Sequence, residues 1–167
     1  MRFFLLLMVL LLTGCGFHLR GQTTLAPPLH RLYLQSKDPY GPLAQSLKQY
    51  LKISGVQLTD NACIASTVLD ILSEQEIQQL LTVSGTQQTR QYNLILSATF
   101  QVTDPQGKVL VPPQTVSETR ALTLQANQIL ADSNELITMY QLMRRAVVFD
   151  IMNRLSSVDV TNLLIKK

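Results

Sequence analysis

The sequence is poor in the residues on which most enzymes and metalloproteins depend. It contains two His, two Cys and no Trp. Two Cys cannot build a disulfide framework or a Cys-based zinc site, and two His leave little for a catalytic or metal centre, so no cofactor is expected. Charged residues are only 15%, and the formal charge of +3 is too small to mark a nucleic-acid binder. There is no phosphate-binding glycine loop, nucleophile elbow, zinc-protease helix or closely spaced metal-ligand set. Apolar and neutral polar residues fill the space. Hydrophobic residues are 46%, which argues against intrinsic disorder, and 17 Gln supply much of the rest. A chain of 167 residues suits one domain with a substantial core.

The start is unlike the remainder. Met1-Arg2 gives a positive n-region, and Phe3 to Leu12 is an unbroken apolar run of ten residues. That run is too short to span a bilayer but fits a signal-peptide h-region. It leads into Leu12-Thr13-Gly14-Cys15, which resembles the bacterial lipobox, in which the Cys thiol takes a diacylglyceryl group. The competing reading is a plain secretory signal with a chance Cys. Residues 1–14 are therefore expected to be a signal peptide and Cys15 the lipidation site. Cleavage there leaves 153 residues with a formal charge of +2. Each buried acyl CH₂ contributes roughly 0.8 kcal/mol, so two or three chains anchor firmly. Gly16 after the Cys, rather than Asp, resembles the sorting signal of outer-membrane lipoproteins facing the periplasm. Cys63 is then a lone thiol, read as a small buried hydrophobe, with a reactive or pairing thiol as the alternative.

Residues 15–28 read as a lipidated tether, 29–155 as a single domain and 156–167 as a loosely held C-terminal tail. Leu29 to Ser36 alternates as a short strand. Pro42 suits a helix N1 position, Leu43, Leu47 and Leu51 recur at helical spacing, and Gly55 fits a C′ cap, which predicts a helix over 42–54. Residues 66–83 read as a long strand, although 73–79 alone suits a helix as well. Residues 90–104 alternate clearly, with Tyr92, Leu94, Leu96, Ala98, Phe100 and Val102 on one face. Asp104-Pro105-Gln106-Gly107 is a turn, and 108–124 returns as the partner strand, with Pro112-Pro113 demanding a bulge or an edge. After a connector at 127–133, residues 134–155 form a second helix. Thirteen of its residues 136–155 are apolar, more than one stripe requires. Its own domain covers the extra face or a partner does; self-coverage is the default. The fold class expected is α+β, a two-layer α/β sandwich of two helices on a mostly antiparallel four-stranded sheet.

Candidate chemistry is sparse. His18 lies in the tether and His30 in the first strand, neither with an obvious nucleophile. Glu74 and Glu76 share a face of a strand and read as solvated. The hairpin register places Arg90 near Arg120 at its open end, where two guanidinium groups can fork onto phosphate; separate exposed arginines are the plainer alternative. Arg144-Arg145 reads as the solvated side of the second helix. Val148, Phe149 and Met152 are candidate partner contacts.

Cys15-Gly16-Phe17-His18-Leu19-Arg20-Gly21 and Asp38-Pro39-Tyr40-Gly41-Pro42-Leu43 resemble the LptE family of lipopolysaccharide-assembly lipoproteins. So do Leu51-Lys52, Gly55-Val56-Gln57-Leu58, the Tyr92 strand, Gly107-Lys108-Val109-Leu110, Pro112-Pro113-Gln114, Leu130-Ala131 and Met143-Arg144-Arg145. Ala146 departs from the Asp that many members carry, and the tail after Leu155 is short. The resemblance implies a non-enzymatic outer-membrane lipoprotein that plugs and assembles the LptD β-barrel as a 1:1 complex. It further implies lipopolysaccharide binding for insertion into the outer leaflet, a position inside the barrel lumen on the periplasmic side, and no nucleic-acid partner. Arg90 and Arg120 are then candidates for contacting lipopolysaccharide phosphates. A periplasm-facing binding module of another envelope complex is the alternative function, and a small His-based hydrolase a weaker one.

Overall fold

The computed structural model describes residues 25–83, 85, 89–125 and 129–165. The expected signal peptide 1–14, Cys15, His18 and most of the tether lie outside the described residues, as do Ser84, the first part of the expected connector and Lys166-Lys167. A short 3-10 turn over Pro27–His30 leads into β1 (Arg31–Ser36), and helix α1 (Pro42–Ile53) follows. Then come β2 (Gln57–Leu58), a 3-10 turn at Ala62–Ile64, and three long strands: β3 (Thr67–Val83), β4 (Thr89–Thr103) and β5 (Val109–Gln125). Helices α2 (Ile129–Leu155) and α3 (Val158–Ile165) close the chain.

The sheet runs β2-β1-β3-β4-β5. β1 is parallel to both its neighbours, whereas β3, β4 and β5 form a long antiparallel meander. Among the described residues the expected four strands and two helices are thus five strands and three α-helices. Two residues of β2 are too few to leave a periodic signature. The segment after Leu155 is a helix rather than a loose tail, because Val160 and Leu164 recur at helical spacing and both are buried. Helix α2 begins five residues before the sequence pattern suggested.

Local chemistry accounts for the boundaries. Pro42 occupies the first turn of α1, and Leu43, Leu47 and Leu51 put one buried stripe on the sheet. At its end Gly55 takes φ +80°, its N–H donates to the Lys52 carbonyl, and the Val56 N–H donates to the Leu51 carbonyl, both at 3.0 Å. That is the Schellman arrangement, for which a left-handed residue is required and Gly is the cheapest choice. In the β4–β5 turn the buried Asp104 carboxylate accepts from the Gln106 N–H at 3.0 Å and the Lys108 N–H at 2.8 Å, while Gly107 takes φ +87°. The turn is pinned by one side chain.

The core lies between the sheet and its helices. On β4 the residues Leu94, Leu96, Ala98, Phe100 and Val102 are all buried, and Met143, Val147, Val148, Ile151 and Leu155 of α2 close over them. Phe100 is fully enclosed, on the central strand of the meander. Phe100→Ala should lower stability by about 3–5 kcal/mol through lost transfer energy and the cavity left behind. The check is the urea midpoint; an unchanged midpoint would place Phe100 outside the cooperative core.

Candidate functional site

The β4–β5 ladder decides where the candidate arginines lie. Arg90 pairs with Leu124, and Arg120 pairs with Leu94. They are therefore four positions apart on the same face of the sheet, about 13 Å along the strands. The expected adjacency is corrected. Register shifts between Phe100 and Val102 and between Val102 and Thr103, opposite the Pro112-Pro113 segment, displace the pairing further than a single bulge does. The two arginines are therefore not neighbours across the ladder. Arg120 instead donates from Nε to Glu118 Oε1 at 3.0 Å, two residues along its own strand.

A second irregularity changes the chemistry of β3. Ile71 pairs with Phe100 and Ser73 with Thr99, so Leu72 is the extra residue of a bulge. The bulge reverses the alternation. Before it Leu69 and Ile71 face the helices; after it Glu74, Glu76 and Gln78 do, opposite Ala98, Leu96 and Leu94. Arg144 of α2 reaches across to Glu76, with Nη2 2.6 Å from Oε1. Its side chain is only 15% exposed, and its Nε is buried without a partner. The guanidinium also lies 5.9 Å from the centre of the Tyr140 ring. Arg144 was expected on a solvated face; it is an inward tie between helix and sheet. Arg144 follows Met143 in the buried stripe of α2, but finding its partner required the bulge.

A cleft of about 550 Å³ opens beside this tie, lined by Lys37, Asp38, Pro42, Ile71, Glu74 and Glu76 among others. Loss of hydration against its wall raises the Glu74 carboxyl above its ordinary value, and the Glu76 carboxylate raises it further; Arg144 acts the other way, and Asp38 adds a smaller upward push. Burial and then Glu76 likewise raise the Tyr140 hydroxyl, again against Arg144. Among the described residues no group of His, Cys, Asp and Glu is arranged to hold a metal ion. His30 Nε2 lies 3.1 Å from the Leu25 carbonyl oxygen, which ties down the start of the domain. Cys63, expected as a buried hydrophobe, is exposed, because the 3-10 turn that carries it lies on the surface.

The outer face of the meander has a different composition. Four consecutive rungs read Ser73–Thr99–Thr115, Gln75–Ser97–Ser117, Ile77–Ile95–Thr119 and Gln79–Asn93–Ala121 across β3, β4 and β5. None carries a charge. Glu74, Glu76, Arg90, Glu118 and Arg120 all lie on the helix side; the outer side of these strands keeps only Asp70, held by Gln101 Nε2 at 3.2 Å. Thr99 and Thr115 share a hydroxyl hydrogen bond of 2.9 Å. No helix among the described residues covers this side. The partner-contact candidates on α2 divide. Val148 and Met152 are buried in the protein's own core, so they are unavailable to a partner, while Phe149 is 44% exposed. The excess apolar surface of α2 is mostly self-covered. No helix among the described residues is long and apolar enough to cross a membrane.

A family model described as LptE, Lipopolysaccharide-assembly, matches residues 29–155. An LPS-assembly lipoprotein LptE of Pectobacterium atrosepticum is 32% identical over 165 residues, covering 92% of this chain and 90% of that protein. The Photorhabdus laumondii protein of the same name is 36% identical, over 62% of this chain and 57% of its own length. Two solved structures share the fold. The solution structure of an uncharacterized lipoprotein B from Nitrosomonas europaea has a TM-score of 0.70 at 22% identity, covering 84% of this chain and 90% of that one. The crystal structure of the rare lipoprotein B from Shewanella oneidensis has a TM-score of 0.66 at 24% identity, covering 77% and 96%.

The raised Glu74 carboxyl has a thermodynamic consequence. The folded protein holds that proton more tightly than the unfolded chain does. The stabilising contribution is therefore complete below the ordinary carboxyl pKa and is lost as pH rises through the folded value. Glu74→Gln removes the need to ionise in the cleft. It should raise the urea midpoint at about pH 7 and leave it unchanged at about pH 3. A lower midpoint at neutral pH would show that the Arg144 attraction outweighs desolvation.

Proposed function

Because this chain belongs to the LptE lipopolysaccharide-assembly family, we propose that it is a non-enzymatic outer-membrane lipoprotein that plugs an LptD-like β-barrel in a 1:1 complex and binds lipopolysaccharide during its insertion into the outer leaflet. The observation that carries the plug reading is the run of four uncharged rungs on the outer face of the meander, where Asp70 is the one charged residue of the three strands. A barrel lumen is polar. A charge moved from water into such an enclosure must recover a large desolvation cost, whereas Ser, Thr, Asn and Gln exchange water hydrogen bonds for lumen hydrogen bonds at little cost. In this reading Cys15 carries the acyl chains that hold the domain at the membrane, and Phe149 of α2 is a further contact with the barrel.

Arg90 and Arg120 serve as two separate phosphate contacts on the helix side of the hairpin. Both are exposed. Phosphate can draw Arg120 away from Glu118, since an exposed ion pair contributes at most about 1 kcal/mol, whereas a hydrogen bond to a charged group contributes roughly 1.5–3 kcal/mol.

Purification of the full chain from outer membranes should recover a large β-barrel protein in equal amount. Recovery with a different envelope complex and no barrel would overturn the plug reading. Gln75→Glu with Gln79→Glu places two charges on the neutral face, at positions that are exposed in the isolated protein. This pair should reduce barrel recovery at least tenfold with little change in the urea midpoint. Separately, Arg90→Glu with Arg120→Glu should weaken lipopolysaccharide binding by about tenfold or more, equivalent to roughly 1.4 kcal/mol; unchanged binding would remove both residues from the site.

A further inference from the structure

We infer that the open edge of β3 beyond the end of β1, residues 73–80, takes an added strand from a lumen-directed segment of the enclosing barrel, one that carries a Lys or Arg opposite Glu74. This attachment rests on the plug reading and deepens it by naming one point of contact and the chemistry of what binds there. β1 ends at Ser36, opposite Ile71. From Ser73 onward β3 has β4 on one side and, among the described residues, no strand on the other. Helix α2 packs on β4 and β5 and reaches β3 through Arg144. Every residue from Glu74 to Thr82 is exposed. Open edges recruit further strands unless proline, lysine, a short length or a bulge prevents it. Residues 73–80 contain no Pro, Gly or Lys. They lie between the bulges at Leu72 and Leu81 and keep an unbroken register with β4, from Ser73 opposite Thr99 to Leu80 opposite Tyr92. That regular edge extends about 26 Å. The other long edge, that of β5, is guarded by Pro112 and Pro113, and its Val116 and Leu122 are buried in the protein's own core.

The edge has room beside it and a pattern along it. The cleft of about 550 Å³ lies between Ser36, Lys37 and Asp38 at the end of β1 and Ser73 to Glu76 of β3. It is the space into which β1 would continue, so an added strand fills it without displacing any element. Its lining carries the carboxylates of Asp38, Glu74 and Glu76 against the single ammonium of Lys37. Arg144 balances Glu76, whereas Glu74 has no ion-pair partner among the described residues. A cation brought by the partner therefore meets an unmatched carboxylate. On the helix side of the edge Glu74 and Leu80 are six residues apart, and on the outer side Ile77 lies midway between them. Ile77 is 47% exposed and Leu80 50%. Opposite charges and apolar pairs placed across a ladder are the units of strand association. The matching segment thus has a basic and an apolar residue six positions apart on one face, and a second apolar residue midway on the other. This spacing is the same for parallel and antiparallel addition.

The test uses the full chain in detergent and the synthetic peptide Thr-Lys-Thr-Ser-Ile-Gln-Thr-Leu, with its reversed sequence as the probe for the opposite direction of addition. One of the two should bind, and the β3 amides that face the open edge should then exchange with deuterium about tenfold more slowly or less. A side-chain contact without strand pairing leaves those amides unprotected. Glu74→Lys should weaken binding of that peptide by about tenfold or more. The same peptide with Glu in place of its Lys should bind the Glu74→Lys protein as the original pair does. In the barrel complex the same amides should be protected with no peptide added, and the peptide should no longer bind. Three results overturn the inference while leaving the plug reading in place: peptides that protect no β3 amide, a charge swap without recovery, and a barrel complex that exchanges at β3 like the isolated chain or still takes up the peptide. Purification that recovers no barrel overturns the plug reading and, with it, the barrel as the source of the strand.

Discussion

The alternation of β4 is the constraint on which the rest of this structure depends. β4 is the middle strand of the meander and pairs along nearly its whole length on both sides. Its even-numbered residues from Leu94 to Phe100 are fully enclosed, so its register cannot slip by one without turning an entire apolar row to water. Each neighbouring strand must therefore declare which of its residues face the helices. β5 meets the demand with Val116 and Leu122, and fills the gap between them with Glu118 and Arg120, which satisfy each other. β3 meets it with Leu69 and Ile71, then passes through the bulge at Leu72 and presents carboxylates.

That bulge creates the tie between layers. Had β3 kept its phase, Ile77 would have faced the helices and Glu76 the outer side. The bulge brings Glu76 to where Arg144 can reach it, and puts Ile77 beside Ile95 on the outer face. The pair at 2.6 Å is charge-assisted but imperfect, because Arg144 Nε is left buried without a partner. A buried unsatisfied donor costs about 1–3 kcal/mol. The net contribution of such a tie to stability is small. Its effect is positional: it fixes α2 over the meander, and with it the exposed Phe149.

The parts of this fold written in short-range periodicity were legible in the sequence. The Leu43, Leu47, Leu51 stripe, the Gly55 cap, the Asp104–Gly107 turn and the β4 alternation each announce themselves within a few residues. What was not legible depends on events between strands. Two register shifts moved Arg120 away from Arg90, and no local pattern near either arginine records them. The bulge at Leu72 is hidden because the apolar residues on its two sides happen to share parity, which reads as one uninterrupted strand. Val148 and Met152 looked like surplus apolar surface until α2 was seen to bury them over β4. The four uncharged outer rungs were present in the sequence as low charge and abundant Gln, but only pairing shows that all the strand charges except Asp70 lie on the helix side.

This sorting joins the two unusual surfaces of the molecule. A sheet face exposed to water gains solubility from Lys and Glu, and an open edge gains protection from the same residues. Both are absent from the outer rungs, and the edge of β5 carries one Glu and one Arg whose charges cancel. A protein that stayed alone in solution would have no physical reason to forgo these defences at both places. Their joint absence is consistent with a chain that spends its working life with these surfaces enclosed. The helix side, where Arg90 and Arg120 stand exposed, keeps the other charges of these strands. Hydrogen-bonding capacity without charge is what an enclosed polar surface requires, and the pleat delivers it by placing Ser, Thr, Asn and Gln on every second residue of three adjacent strands.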